Sequence, residues 1–146
     1  IEDCIGGKGK VTIATYGQYP RDAVIVKWDT ENDLAVLASR SKYPAFNLSE
    51  SAPFPGYWVM AYGSADGYKD SVAIGNVLNT TVSQVLITNN VSHGNSGGPL
   101  VDNEGKVVGI VSWSSTKEQY NGAVSLNAMC SKILECDGKY YWDYEE

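Results

Sequence analysis

Short apolar or alternating runs recur from Val11 to Leu126, each closed off by turn residues. Alternation with a period of two puts one face of a strand toward a core, whereas a helix would repeat its apolar positions every three or four residues. The runs predict strands at Val11–Tyr16, Ala23–Trp28 and Leu34–Ala38. A second set is predicted at Tyr57–Tyr62, Ser71–Leu78, Val82–Thr88, Pro99–Val101, Val107–Ser114 and Gly122–Leu126. Between the sets, Ser39 to Pro55 holds three of the five prolines and reads as a connection between two lobes. Asp102-Asn103-Glu104-Gly105 has the chemistry of a tight turn and joins two strands into a hairpin. The last apolar run, Leu126 to Leu134, switches to helical spacing and should cap one lobe. The expected class is all-β. Six strands after Pro55 suffice for a closed barrel, and three precede it.

Chemistry concentrates in Gly94-Asn95-Ser96-Gly97-Gly98-Pro99-Leu100, backed by the strand through Val107–Ser114. A serine that attacks a carbonyl needs little bulk around it and backbone N–H groups free to face the oxygen that becomes negative. Glycine supplies both, since it lacks a Cβ and accepts unusual dihedrals. Taken alone, the same residues also fit a glycine-rich turn between strands. Upstream, Asn32-Asp33-Leu34-Ala35-Val36-Leu37 sets a carboxylate at the head of an apolar run, a place where an Asp is often only a turn residue.

In combination, DLAVL, about sixty intervening residues, and GNSGGPLV followed by GKVVGIVSW resemble the chymotrypsin-like (trypsin-fold) serine peptidases. The likeness is closer to the bacterial branch that includes the HtrA-type enzymes than to pancreatic trypsin. It implies a double β-barrel of two lobes with a short C-terminal helix. Residues 1–45 would be the second half of the N-terminal barrel, 46–55 the connection, 56–126 the C-terminal barrel, and 127–146 the helix and acidic tail. The first barrel would be incomplete, because the family's base, a His, follows the third strand of that lobe and the chain resembles the family from just after it. The resemblance assigns Ser96 as nucleophile, Asp33 as the carboxylate that orients the imidazole, and the amides of Gly94 and Ser96 as the oxyanion hole. It places Asn90 at the floor of the substrate pocket, Ser92 and His93 on one wall, Ser112, Trp113 and Ser114 on the other, and Gly122 on the far side. Each of these pocket residues is equally compatible with ordinary strand packing. No acidic residue lies on the expected floor, so a neutral substrate side chain is expected there.

The chain has a single histidine, His93, three residues before Ser96. By family order it is a pocket-rim residue rather than the base. The base is therefore expected upstream of Ile1, and this fragment alone is expected to be inactive. A peptidase fold without its base, binding an extended peptide along Ser112–Ser114, is the alternative. A capsid-like or self-processing protein that cuts itself once is a third.

Composition narrows the partners. Net charge is −6 over 146 residues with no Lys/Arg stripe, which argues against nucleic acid. No apolar run is long enough to span a membrane. One His and no Cys-x-x-Cys spacing make a poor ligand set, so neither metal nor other cofactor is expected. The expected partners are a polypeptide substrate and an upstream segment or second chain that completes the first barrel. Of the three cysteines, Cys130 and Cys136 flank the end of the expected helix and could bridge if the chain turns back, while Cys4 has no evident mate. Such a bridge would fit a secreted or periplasmic location.

Overall fold

The computed structural model describes residues 10–14, 19–40, 42–63, 71–91, 93–114 and 121–136. Cys4, Tyr16 and the acidic tail from 137 onward lie outside them.

Three antiparallel strands form the first sheet: β1 (Lys10–Ile13), β2 (Arg21–Asp29) and β3 (Leu34–Ser39), in the order β1-β2-β3. Ala23 and Ile25 of β2 are buried, and Val24 and Val26 between them are exposed, so the period-two pattern resolves into two faces. A register shift between Ile25 and Lys27 bends this strand against β3.

Six further strands follow: β4 (Trp58–Gly63), β5 (Ser71–Thr80), β6 (Gln84–Ile87), β7 (Pro99–Val101), β8 (Val107–Ser114) and β9 (Asn121–Ser125). They close into a barrel in the order β4-β5-β6-β9-β8-β7, with Met60 opposite Val101 and Ala61 opposite Leu100 at the seam. The expected all-β fold with a closed second barrel is thus observed. Its interior is filled by Val59, Ala61, Val77, Val85, Ile87, Leu100, Val108, Val111 and Ala123. Residues of this size leave room for side chains and nothing else inside a small barrel.

Helix α1 (Leu126–Lys132) starts where Ser125 caps it: the Ser125 Oγ accepts from the Ala128 N–H at 3.2 Å and donates to the Val82 carbonyl at 2.6 Å. After the helix the chain turns back, and Cys130 and Cys136 are bridged. Leu34, Val124, Ala128 and Ile133 form a second cluster that packs β3, the barrel and the helix together.

Several elements differ from the sequence reading at their ends: β1 stops at Ile13, β5 runs on to Thr80 and the helix ends at Lys132. The predicted strand from Val82 begins at Gln84, because Thr81 closes a turn there, its Oγ1 accepting from the Gln84 N–H at 3.0 Å. The connection before Pro55 is pinned to the barrel. The Ser49 N–H donates to the Val107 carbonyl at 2.9 Å, the Val107 N–H donates to the Asn47 carbonyl at 2.8 Å, and Thr80 Oγ1 donates to the Pro53 carbonyl at 2.9 Å. These bonds use backbone groups that composition does not reveal.

Candidate active site

The Asp33 region is built by a side-chain-locked turn between β2 and β3. Asp29 accepts from the Glu31 N–H at 3.1 Å and the Asn32 N–H at 3.4 Å through Oδ1, and from Asn32 Nδ2 at 2.7 Å through Oδ2. The Asn32 side chain, with smaller help from these backbone donors, holds the Asp29 carboxyl below its ordinary range against a small desolvation cost. Asp33 leaves this turn at φ 54°, a left-handed conformation that Asp tolerates better than most residues. It lines a cleft of about 590 Å³ with Ile25, Leu34, Val36 and Leu37 from the sheet, Met129 and Ile133 from the helical end, and Gly97 from the serine loop.

The serine loop is fastened on both sides. His93–Asn95 form one 3₁₀ turn, and the Gly98 N–H donates back to the Asn95 carbonyl at 2.9 Å. The Gly97 N–H donates to the Val111 carbonyl at 2.7 Å, and the Val111 N–H to the Gly98 carbonyl at 2.9 Å, so β8 carries the loop. Gly97 sits at φ 89°, which a side chain would strain. On the other side β4 abuts the loop directly. A Cβ on Gly98 would stand 2.0 Å from the Tyr62 carbonyl oxygen, and one on Gly63 would stand 2.7 Å from the Asn95 Cα. Asn95 itself is fully buried, while Gly94 and Ser96 are exposed.

Ser96 Oγ donates to the Ser112 carbonyl at 3.2 Å. Ser112 lies at the register slip between Val111 and Trp113, which takes it out of the β8–β9 pairing and turns its backbone toward the loop. Asp33 and Gly97, the neighbour of Ser96, therefore share one cleft. The stretch carrying Asp33 and the loop carrying Ser96, about sixty residues apart in sequence, thus border the same cleft.

The expected pocket residues are distributed as follows. Asn90 is exposed just after β6. Gly122 is buried in β9, between Leu86 of β6 and Trp113 of β8. Ser112, Trp113 and Ser114 are consecutive in β8. His93 belongs to the 3₁₀ turn. Its side chain, all of Ser92, and the side chains of Trp113 and Ser114 lie outside the described portion. Sequence reasoning missed the Asp29–Asn32 lock, the close approach of Gly63, and the buried carboxamide of Asn89. The signals were present as an Asp three residues before an Asn and as an Asn-Asn pair leading into the loop.

The family model for a trypsin-like peptidase domain matches residues 2–110. The chain belongs to the trypsin-like peptidase family. Within it, the chain is 35% identical over 136 residues to a Marinomonas protein named "Probable periplasmic serine endoprotease DegP-like", covering 80% of this chain and 28% of that one. It is 27% identical over 133 residues to the anti-sigma-I factor RsgI9 of Acetivibrio thermocellus, covering 86% of this chain and 19% of that one. Among solved structures, the serine endoprotease from Yersinia pestis superposes with a TM-score of 0.79 at 25% identity, over 89% of this chain and 49% of that chain. The trypsin-like domain described here thus spans a fifth to a little over a quarter of the length of these two relatives. Its resemblance to the HtrA-type branch holds in both sequence and fold.

Proposed function

We propose that this trypsin-like domain is a serine endopeptidase domain that hydrolyses peptide bonds through an acyl-enzyme on Ser96. Asp33 orients an imidazole supplied by polypeptide outside these 146 residues, since by family order His93 is a pocket-rim residue. The imidazole takes the Ser96 proton as Oγ attacks the scissile carbonyl, then returns it to the leaving amine. The amides of Gly94 and Ser96 stabilise the oxyanion, and Ser112–Ser114 offers backbone groups to an extended substrate by strand addition. Asn90, Ser92, His93 and Gly122 surround the substrate side chain, which is neutral. Residues 1–45 act as half of an N-terminal barrel, 46–55 as the connection, 56–126 as the C-terminal barrel and 127–146 as helix and tail. The apolar lining of the cleft supports its being covered by further polypeptide, an upstream segment or a second chain. The Cys130–Cys136 bridge supports a secreted or periplasmic setting.

The observation that carries this reading is the single cleft lined by both Asp33 and Gly97. The experiment is fluorophosphonate labelling of the full-length gene product. Ser96 is the residue modified, and Ser96→Ala abolishes both labelling and peptide hydrolysis. A full-length protein that neither labels nor turns over peptide, yet binds extended peptides unchanged by Ser96→Ala, favours the base-less binding module instead. The Ser96 hydroxyl resting on the Ser112 carbonyl is the observation on that module's side.

A further inference from the structure

We propose that Asn89 is a positioning residue that sets the width of the pocket for the substrate side chain, acting together with Asn121. This rests on the peptidase reading of the pocket and names what determines its specificity. β5 and β6 part just before Asn89. Their last ladder pair before the loop is Val77 with Ile87. Thr88 carries the pairing one step further: its N–H donates to the Asn76 carbonyl at 3.0 Å, and its Oγ1 accepts from the Asn76 N–H at 2.9 Å, standing in for a backbone carbonyl. Asn89 then turns into the barrel and is 0% exposed. Its Nδ2 donates to the Ala73 carbonyl of β5 at 2.8 Å and to the Val59 carbonyl of β4 at 3.1 Å. Its own carbonyl accepts from Asn121 Nδ2 at the head of β9. One residue thus ties three strands together.

Two observations say that this is more than core packing. Among the described residues the buried Asn89 Oδ1 has no hydrogen-bond partner, so the carboxamide gives up part of its bonding capacity where a Val or Leu would give up none. β5 also yields space for it: a Cβ on Gly75 would stand 2.5 Å from Oδ1 and 2.7 Å from the Asn89 nitrogen. The location supplies the reason. Asn90, the expected floor, is the next residue, and the chain runs on through buried Val91 to the serine loop. Asn121 immediately precedes Gly122, the expected opposite side. The Asn121–Asn89 hydrogen bond therefore joins the segment that leads to the expected floor to the strand that carries the expected far side, between which a substrate side chain would sit, and the bonds to β4 and β5 anchor that joint to the barrel.

The test uses the full-length protein, peptide substrates that differ only in the neutral side chain before the scissile bond, and amide exchange across residues 90–95. Asn121→Ala, at a half-buried position, is expected to flatten the ratio of kcat/KM between the best and worst substrates by about tenfold, chiefly through KM. Asn89→Ala is expected to act in the same direction and more strongly, with exchange at 90–95 faster by about tenfold or more. Ser96 labelling should fall far less than kcat/KM in both. Wild-type side-chain preference and wild-type exchange in both variants would overturn the proposal. If Asn89→Ala does not fold, Asn121→Ala decides alone. If the wild-type protein neither labels nor cleaves, the peptidase reading fails separately, and exchange at 90–95 still decides whether Asn89 holds this segment.

Discussion

The six-stranded barrel and the three-stranded sheet solve the problem of placing one chemical group in opposite ways. In the barrel every strand has two neighbours, and the interior residues Val59, Val85, Ile87 and Leu100 are wholly shielded. Ser96 is held by that closure, since its loop is clamped between β8 on one side and the end of β4 on the other. In the sheet, β1 and β3 have one strand neighbour each among the described residues, and Val24, Val26 and Trp28 stand exposed. Asp33 leaves a turn that Asp29 locks from within, through its bonds to Glu31 and Asn32, and that pairs with β3. The Ser96 loop rests on packing across the barrel, whereas the turn before Asp33 is locked by local hydrogen bonds. The two should therefore respond differently to mutation.

The largest separation should come from Asp33. Asn adopts the left-handed conformation at φ 54° as readily as Asp, so Asp33→Asn should leave melting unchanged and cut Ser96 labelling in the full-length protein by about 10⁴-fold. Labelling within about threefold of wild type would remove Asp33 from the reaction. Next comes Gly98→Ala. The added Cβ cannot coexist with the Tyr62 carbonyl, so the loop must move, and labelling should drop by about 10²–10³-fold together with a loss of stability. Retained labelling would show that β4 does not hold the loop.

Stability should separate the two regions as well. Leu100→Ala, at the barrel seam, should cost about 2–5 kcal/mol in denaturant unfolding, because the surrounding strands cannot collapse into the space. Leu34→Ala lies in the smaller cluster beside an open cleft, which can relax, and should cost about 1–2 kcal/mol. Equal costs would mean that the sheet is as rigidly packed as the barrel.

What the sequence disclosed follows the same division. Strands were legible where alternation survives, as in Val59 and Ala61 facing inward beside half-exposed Met60, whereas β9 is buried almost throughout. Ser96 and Asp33 were expected from motif order, and the Cys130–Cys136 bridge stayed open in the sequence, conditional on a turn back after the helix that the structure shows. The strand order was not legible: β6 pairs with β9 across more than thirty residues, and no local pattern encodes that neighbour. Nor was Asn89, because a polar residue after a strand reads as a turn until its partners on β4, β5 and β9 are seen. The pinned connection at Asn47–Ser49 escaped because its bonds are backbone to backbone.

The smallest expected effect tests the acid's local support. Asp29 has its folded carboxyl pKa lowered, first by the Asn32 side chain. Such a group contributes stability that is fully present above its unfolded value and is lost as pH falls through the lowered folded value. Asp29→Ala should therefore destabilise the protein by less than about 1 kcal/mol at neutral pH, since the turn is at the surface and several weak bonds share the load. The variant and wild type should converge on the acid side, where the wild-type carboxylate is protonated and its bonds to Asn32 weaken. Because Asp33 follows directly, the same substitution should lower Ser96 labelling in the full-length protein more than it lowers stability, and restoring the acceptor with Asp29→Asn should recover part of the labelling. A stability difference that persists unchanged into acid, or labelling that ignores Asp29 altogether, would show that the position of Asp33 is fixed by the sheet and not by its turn, and the contrast between the two regions would fall.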